Sequence, residues 1–239
     1  MSSRELFNLS EIFTSFQGEG RYISEPSFFI RSSGCNLRCR WGDSYCDTIY
    51  TSWEAEQNFT SIDQLISKFE LVAEQNDTIK HLIITGGEPL LQKNLAKVCD
   101  LLSKKGYYIT IETNASIYTD LEADFISMSP KLSSSTPVAS RFEEKHETLR
   151  LNYEAIRQWQ RNYDYQLKFV INEASDEDEI LDLLAQIEPS EDKVYLMPQG
   201  LSRDELLSNS ELTKHIAAKH GWHYTPRLHV ESFGLKRGC

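Results

Sequence analysis

Six short apolar runs punctuate the chain: Ser27–Arg31, His81–Ile84, Tyr107–Ile111, Asp124–Met128, Gln166–Ile171 and Lys193–Leu196. Each is short, rich in β-branched or aromatic residues, and reads as a buried strand. Amphipathic segments separate most of them. Ile62, Leu65, Ile66, Phe69, Val72 and Ala73 repeat at helical spacing, and Ser61 with Gln64 three residues on is a capping box. Leu91, Leu95, Val98, Cys99 and Leu102 form a second stripe, which Gly106 stops. Further helices are predicted from Asn152 to Arg161, after a Ser175 cap, and, as the last, from Arg203 to Lys219. The acidic run Asp176–Glu179 suits the positive end of a helix dipole and not a metal. Strand and helix alternate, so the sequence predicts an α/β fold: a mostly parallel, curved sheet with helices outside, in one domain spanning 1–239.

Nearly every run carries or precedes a small polar cluster. These are Arg31, Thr85–Gly87, Glu112–Asn114, Ser129–Lys131, Lys168 and Gln199. In parallel sheets the carboxyl ends of the strands gather on one edge, where ligands bind. An unpaired ammonium in an apolar strand is costly, so Lys168 is expected to have a partner. Ahead of the first run, the glycines around Glu19 permit a tight turn, read as an ordinary loop.

Just past the first strand, Cys35, Cys39 and Cys46 fall within twelve residues. Thiolates are soft ligands for iron–sulfur clusters, zinc or copper, and an odd number leaves one coordination position open. A zinc knot would want a fourth Cys or a His. The first His in sequence is His81, but His223 or His229 could reach the loop in space, so zinc stays open. Cys99 lies on an apolar helical stripe and is expected in the core.

The net charge of −11 lacks the basic face of a nucleic-acid binder. No apolar run would span a bilayer, and Met1–Leu6 lacks a signal-peptide core, so a cytoplasmic protein with reduced or metal-bound cysteines is expected. If the three thiolates hold three irons of a [4Fe–4S] cluster, the fourth iron can take an amino and carboxylate chelate from a small molecule. Gly86 and Gly87 would let backbone carbonyls approach its ammonium, with Glu88 nearby. Ser129 and Lys131 suit a ribose or carboxylate.

With these features the sequence resembles the radical S-adenosylmethionine superfamily: a three-cysteine loop after the first strand, and Thr85-Gly86-Gly87-Glu88-Pro89 after the second. More narrowly it resembles the 7-carboxy-7-deazaguanine synthases of queuosine biosynthesis. That likeness rests on Phe16-Gln17-Gly18-Glu19-Gly20, Phe29-Ile30-Arg31, Gly34–Cys39, Cys46-Asp47-Thr48, Glu112-Thr113-Asn114, Ser129-Pro130-Lys131 and Arg227-Leu228-His229. The resemblance implies a partial, open (β/α) barrel with mostly parallel strands. It implies a 5′-deoxyadenosyl radical that takes a hydrogen from 6-carboxy-5,6,7,8-tetrahydropterin, followed by ring contraction and loss of ammonia, with S-adenosylmethionine regenerated. Flavodoxin or ferredoxin is the implied reductant, Mg²⁺ an implied cofactor, and a homodimer the implied assembly.

Carried over by position, Cys35, Cys39 and Cys46 hold the cluster, and Thr48 is the Mg²⁺ ligand. Phe16, Gln17, Gly18, Arg31 and Thr85 contact the pterin, with Arg31 on its carboxylate and Cys239 contributing its main-chain carboxylate. Gly87, Glu112, Asn114, Ser129, Pro130, Lys131 and Met197, Pro198, Gln199 and Gly200 contact S-adenosylmethionine. The second cysteine gap departs from the superfamily's usual two residues. It holds six, Arg40–Tyr45, with Gly42-Asp43-Ser44 read as a bulged turn, and either Trp41 or Tyr45 shields the cluster. The alternatives are a glycyl-radical activating enzyme acting on a protein, against which the Gln17–Gly20 loop and Cys46-Asp47-Thr48 count, or a non-catalytic zinc-binding module.

Overall fold

The computed structural model describes residues 5–239; the start of the Met1–Leu6 stretch lies outside them. Strands and helices run in the order β1 (Leu6–Phe16), β2 (Pro26–Ser32), β3 (Arg40–Trp41), β4 (Ser44–Tyr45), β5 (Phe59–Ser61), α1 (Ile62–Ala73), β6 (His81–Gly86), α2 (Leu95–Ser103), β7 (Tyr108–Thr113), β8 (Phe125–Met128), α3 (Glu143–Leu149), α4 (Tyr153–Asn162), β9 (Tyr165–Ile171), α5 (Asp176–Ile187), β10 (Val194–Pro198), α6 (Arg203–His220), β11 (His223–Tyr224) and α7 (Leu228–Phe233). Nine strands form one open sheet, ordered β11-β10-β9-β8-β7-β6-β2-β1-β5. From β2 to β11 every pairing is parallel, as the alternation of apolar runs and helices requires. Within this sheet only β1 makes antiparallel pairs, with β2 and β5.

The apolar stripes do what their spacing predicts. Ile62, Leu65 and Phe69 of α1 and Leu95, Val98, Cys99 and Leu102 of α2 enter the main core beside Phe28, Ile84 and Ile111. The capping box of α1 forms reciprocally between Ser61 and Gln64. Leu91 departs from its expected stripe, since it precedes α2 in a single 3₁₀ turn and is exposed. Ser175 does not cap α5 with its side chain. The buried Asp176 carboxylate takes the turn's donors instead, accepting from the Asn172 and Glu173 amides at 2.7 and 3.0 Å. The helix at Arg203 is not the last, because α7 follows it.

The larger correction concerns β1. The first core strand in sequence order is this eleven-residue strand and not Ser27–Arg31. Its middle reads as polar because Ser10, Glu11 and Ile12 are only half-buried at the outer flank of the sheet, and the register slips between Leu9 and Glu11. The hairpin it makes with β2 carries the Gln17–Gly20 turn across the open side of the sheet. That turn is therefore part of the site's wall and not an ordinary loop.

Candidate active site

The carboxyl ends of β2, β6, β7, β8, β9 and β10 surround one cavity. Its wall includes Arg31, Thr85, Gly86, Gly87, Glu112, Asn114, Ser129, Lys131, Lys168, Met197 and Gln199. Cys35, Cys39, Cys46 and Thr48 line it from the loop after β2, Phe16, Gln17 and Gly18 from the turn after β1, and Cys239 from the tail. Of the residues singled out in the sequence, Pro130, Pro198 and Gly200 lie outside this lining. Gly200 serves the wall from behind, its carbonyl accepting from Arg227 Nη1 at 2.7 Å.

The cysteine loop is fastened to its neighbours through side chains and backbone groups other than the thiols. Asn36 bridges Asn114 (2.9 Å) and Ser116 (2.8 Å) beyond the end of β7. The Trp53 indole donates to the Cys39 carbonyl at 3.0 Å. The Arg38 amide donates to His146 Nδ1 at 3.2 Å, so that nitrogen carries no proton, and Nε2–H faces Ser135 Oγ at 3.2 Å. Burial lowers the His146 pKa to about 4, which preserves this neutral form.

Gly87, just after β6, has a reason beyond ligand approach. A Cβ on Gly87 would stand 2.5 Å from both the Gly34 and Thr51 carbonyl oxygens and 2.8 Å from Cys35 Cβ. The cysteine loop packs directly on Gly87. Gly87→Ala is therefore expected to push the loop outward and cut iron incorporation during anaerobic reconstitution severalfold; normal iron and sulfide content would contradict the packing argument.

Glu88 locks this junction. It is fully buried, and its carboxylate accepts from the Leu90 amide (3.1 Å), Thr113 Oγ1 (2.8 Å) and the Asn114 amide (2.8 Å). Burial raises its pKa to about 7 despite those three donors. Glu88 thus ties the cysteine loop's base to the end of β7 and does not line the cavity.

The lengthened gap between Cys39 and Cys46 is a two-stranded hairpin, β3–β4, turning at Gly42 with φ +56°. The hairpin returns Cys46 to the cavity and settles which aromatic faces it. Trp41 lines the cavity, whereas Tyr45 is 39% exposed and packs edge-on against Trp53 outside.

The donor set suits an iron–sulfur cluster. All three thiols line one cavity and are pushed up by burial, Cys35 to about 12, so they would give up their protons only to a metal. Among the described residues no three His, Cys, Asp or Glu side chains stand close enough to clasp a single ion. A four-iron cluster spreads its thiolates wider than one zinc ion does. Trp41 Nε1 is buried with no hydrogen-bond partner among the described residues, and leaving such a donor unmet costs about 1–3 kcal/mol. A cluster sulfur would be an acceptor for it.

The same cavity holds a charge network of which the sequence reading had placed only Gln17, Glu112 and Lys168 at the site. Lys168 Nζ, 2% exposed, donates to Glu19 at 2.5 Å and Glu112 at 3.2 Å. Gln17 Nε2 donates to Glu112 at 2.9 Å. Arg227, also buried, donates to Glu19 at 3.1 Å and pairs with Asp47. Burial alone would raise the Glu19 carboxyl, but Lys168 and Arg227 outweigh it and hold it far below the usual carboxylate range. Burial alone would lower Lys168, but Glu112 and Glu19 outweigh that and hold it charged. His229 Nε2 lies 3.7 Å from Glu19 and its ring packs on Gly18, where a Cβ would stand 2.2 Å from Nδ1. The expected partner of Lys168 is thus found. The sequence signal for the rest was the same Gln17–Gly20, Cys46–Thr48 and Arg227–His229 motifs, whose charged members complement one another across more than two hundred residues.

Comparisons with known proteins agree with this geometry. The Radical SAM superfamily profile matches residues 29–135, which include the cysteine loop and the Gly86-Gly87 turn. A 7-carboxy-7-deazaguanine synthase of Halobacterium salinarum is 39% identical over 235 residues, covering 93% of this chain and 88% of that protein. One from Rhodopirellula baltica is 38% identical, covering 96% and 88%. In fold the chain is similar to the crystal structure of QueE from Escherichia coli, with a TM-score of 0.68 at 22% identity, covering 96% of this chain and all of that one. With such identity along nearly its whole length, the chain belongs to the 7-carboxy-7-deazaguanine synthase family of the Radical SAM superfamily.

Proposed function

We propose that this enzyme converts 6-carboxy-5,6,7,8-tetrahydropterin to 7-carboxy-7-deazaguanine with loss of ammonia, as one domain acting in queuosine biosynthesis. The observation that carries this reading is a single cavity whose lining joins three thiols and two glycines to Arg31 and a buried carboxylate–cation network.

A [4Fe–4S] cluster on Cys35, Cys39 and Cys46, with S-adenosylmethionine, would supply the radical that takes a hydrogen from the substrate. The chain's own residues then bind and orient. Gly87, Asn114, Ser129 and Lys131 line the same cavity as the three thiols and suit the amino-acid and ribose parts of S-adenosylmethionine. Lys131 Nζ donates to Ser129 Oγ at 2.7 Å, which fixes both. Phe16, Gln17, Gly18 and Thr85 would receive the pterin. Arg31 would take its carboxylate with the guanidinium nitrogens left over from its Nε bond to Glu11. Glu112 and Gln199 also line the cavity. Glu112 is pinned by Gln17 and Lys168, so it serves as a fixed acceptor. Gln17 and Gly18 come from the β1–β2 turn and His229 from the start of α7; between them they screen the substrate end from water.

Thr48 is the proposed Mg²⁺ ligand. Its hydroxyl lies 3.5 Å from Cys46 Sγ at the cavity wall, and a single hydroxyl leaves substrate and water to complete the octahedron. A low-potential flavodoxin or ferredoxin, a homodimer and a cytoplasmic setting complete the proposal; among the described residues no helix is long and apolar enough to cross a membrane.

The test is anaerobic incubation of reconstituted protein with reductant, S-adenosylmethionine and the carboxylated tetrahydropterin. Product mass analysis should show 7-carboxy-7-deazaguanine, and S-adenosylmethionine cleavage without that product would refute the substrate. Thr48→Ala should flatten the Mg²⁺ response of turnover; an unchanged Mg²⁺ dependence would remove Thr48 from the metal site.

A further inference from the structure

The tail after α7 crosses back to the β1–β2 hairpin and is fastened there by one side chain. Arg237 donates to both carboxylate oxygens of Glu56, at 2.7 and 3.0 Å, and to Ser10 Oγ at 3.2 Å. Its guanidinium carbon lies 3.9 Å from the centre of the Tyr50 ring. The Tyr50 hydroxyl donates to Glu11 Oε1 at 2.7 Å, and Arg31 Nε donates to the same oxygen at 2.8 Å. An unbroken contact path therefore runs from the tail to the cavity's arginine.

We propose that Arg237 is a positioning residue: it latches the 234–239 segment over the substrate end of the cavity and, through Tyr50 and Glu11, sets Arg31 for a carboxylate. The inference rests on the pterin reading of the cavity.

Three physical points support it. A planar guanidinium that is both stacked and bidentate is held in one orientation, so the segment carrying it is held too. Gly238 passes beside Glu11, 3.9 Å from its Oε2 measured from a built Cβ, and Cys239 lines the cavity. The cation over the Tyr50 ring holds that ring, and with it the hydroxyl, against Glu11. Glu11 Oε1 thus accepts from Tyr50 and Arg31 at once and fixes the guanidinium by its Nε edge. Arg31 is fixed at Nε and over the Phe13 ring at 5.5 Å, and its two terminal nitrogens have no hydrogen-bond partner among the described residues. That is the edge a carboxylate would take.

The test compares two stable fluorescent ligands, 6-carboxypterin and pterin, titrated into reconstituted holoenzyme with S-adenosylmethionine present. A misplaced Arg31 loses a charge-assisted hydrogen bond to the carboxylate, which is worth about tenfold or more in affinity, so Arg237→Ala and Tyr50→Phe are each expected to weaken 6-carboxypterin by about that factor. Pterin, which lacks the carboxylate, should change less than about twofold. Arg237→Lys keeps the charge but loses fork and stack, and should remain weakened. The double variant should be little worse than either single one, as residues on one path are not additive.

Equal weakening of both ligands would mean Arg237 only packs the tail, and full additivity would break the link through Tyr50; either overturns the inference. Wild-type enzyme that prefers 6-carboxypterin, with variants that keep the whole preference, overturns it alone. Wild-type enzyme that binds neither pterin overturns the substrate reading and this inference with it.

Discussion

Cys35→Ala, Cys39→Ala and Cys46→Ala are each expected to yield folded protein that retains no iron–sulfur cluster after anaerobic reconstitution. Cys99→Ala should load a full complement. Cys39 and Cys99 are buried and Cys35 and Cys46 half-buried, yet burial pushes all four pKa values up, so acidity does not separate them. Position does. Cys99 is fully buried among Leu95, Val98 and Leu102 in the main core, where loss of its sulfur should cost about 1 kcal/mol. The other three share the cavity wall with Gly87 and Trp41. Their loop is fastened through Asn36, the Cys39 carbonyl and the Arg38 amide, none of which involves a thiol group, so the fold should survive each change. Iron and sulfide content with thermal melting measures both halves. Retained cluster in Cys46→Ala, or iron lost in Cys99→Ala, would mean the third ligand is misassigned.

Arg227→Ala should be the most destabilising substitution at the site, by about 3–5 kcal/mol, because removing one partner of a buried ion pair strands the other. Arg227 is 6% exposed and serves Glu19, Asp47 and the Gly200 carbonyl at once. The pH dependence follows from Glu19. Its folded pKa lies well below the ordinary carboxylate value, with Lys168 and Arg227 outweighing the opposing effect of burial. A depressed carboxyl contributes stability that is fully present above the unfolded pKa, near 4.3 for Glu. The contribution is lost as pH falls toward the folded value. Arg227→Ala shrinks that contribution, so the gap to wild type should hold from neutral pH down to about pH 4 and narrow only below it, as Glu19 begins to protonate in the folded protein. Denaturant titration at neutral pH and well below about pH 4 tests this. A gap that is the same at each would show that Arg227 matters for packing alone.

Several of these groups could be read from the sequence, and others could not. The parallel strands announced themselves because both their faces are buried: Phe28 to Ile30 and Leu82 to Ile84 are continuous apolar runs. The strand β1 did not, since its middle is only half-buried and its apolar residues follow neither alternation nor a run. The elements β11 and α7 are two and six residues long, too short for any periodicity to register. Lys168 was legible as a residue that needs a partner, but which partner was not. Glu19 lies 149 positions away, and hydrogen bonding across a sheet leaves no local trace.

Residue chemistry and spacing alone established the order of strands and helices, the ring of polar groups at their carboxyl ends and the three-thiol loop. These are local properties: apolar runs report burial, caps report helix starts, and clustered soft ligands report metal chemistry. Tertiary structure decided what depends on distant segments meeting: that Gly87 serves the cysteine loop's packing, that Trp41 and not Tyr45 faces the cavity, and that Arg227 and Arg237 fasten the tail across it. Ion pairs and close backbone approaches are set by which strands lie side by side, and no window of sequence holds both partners.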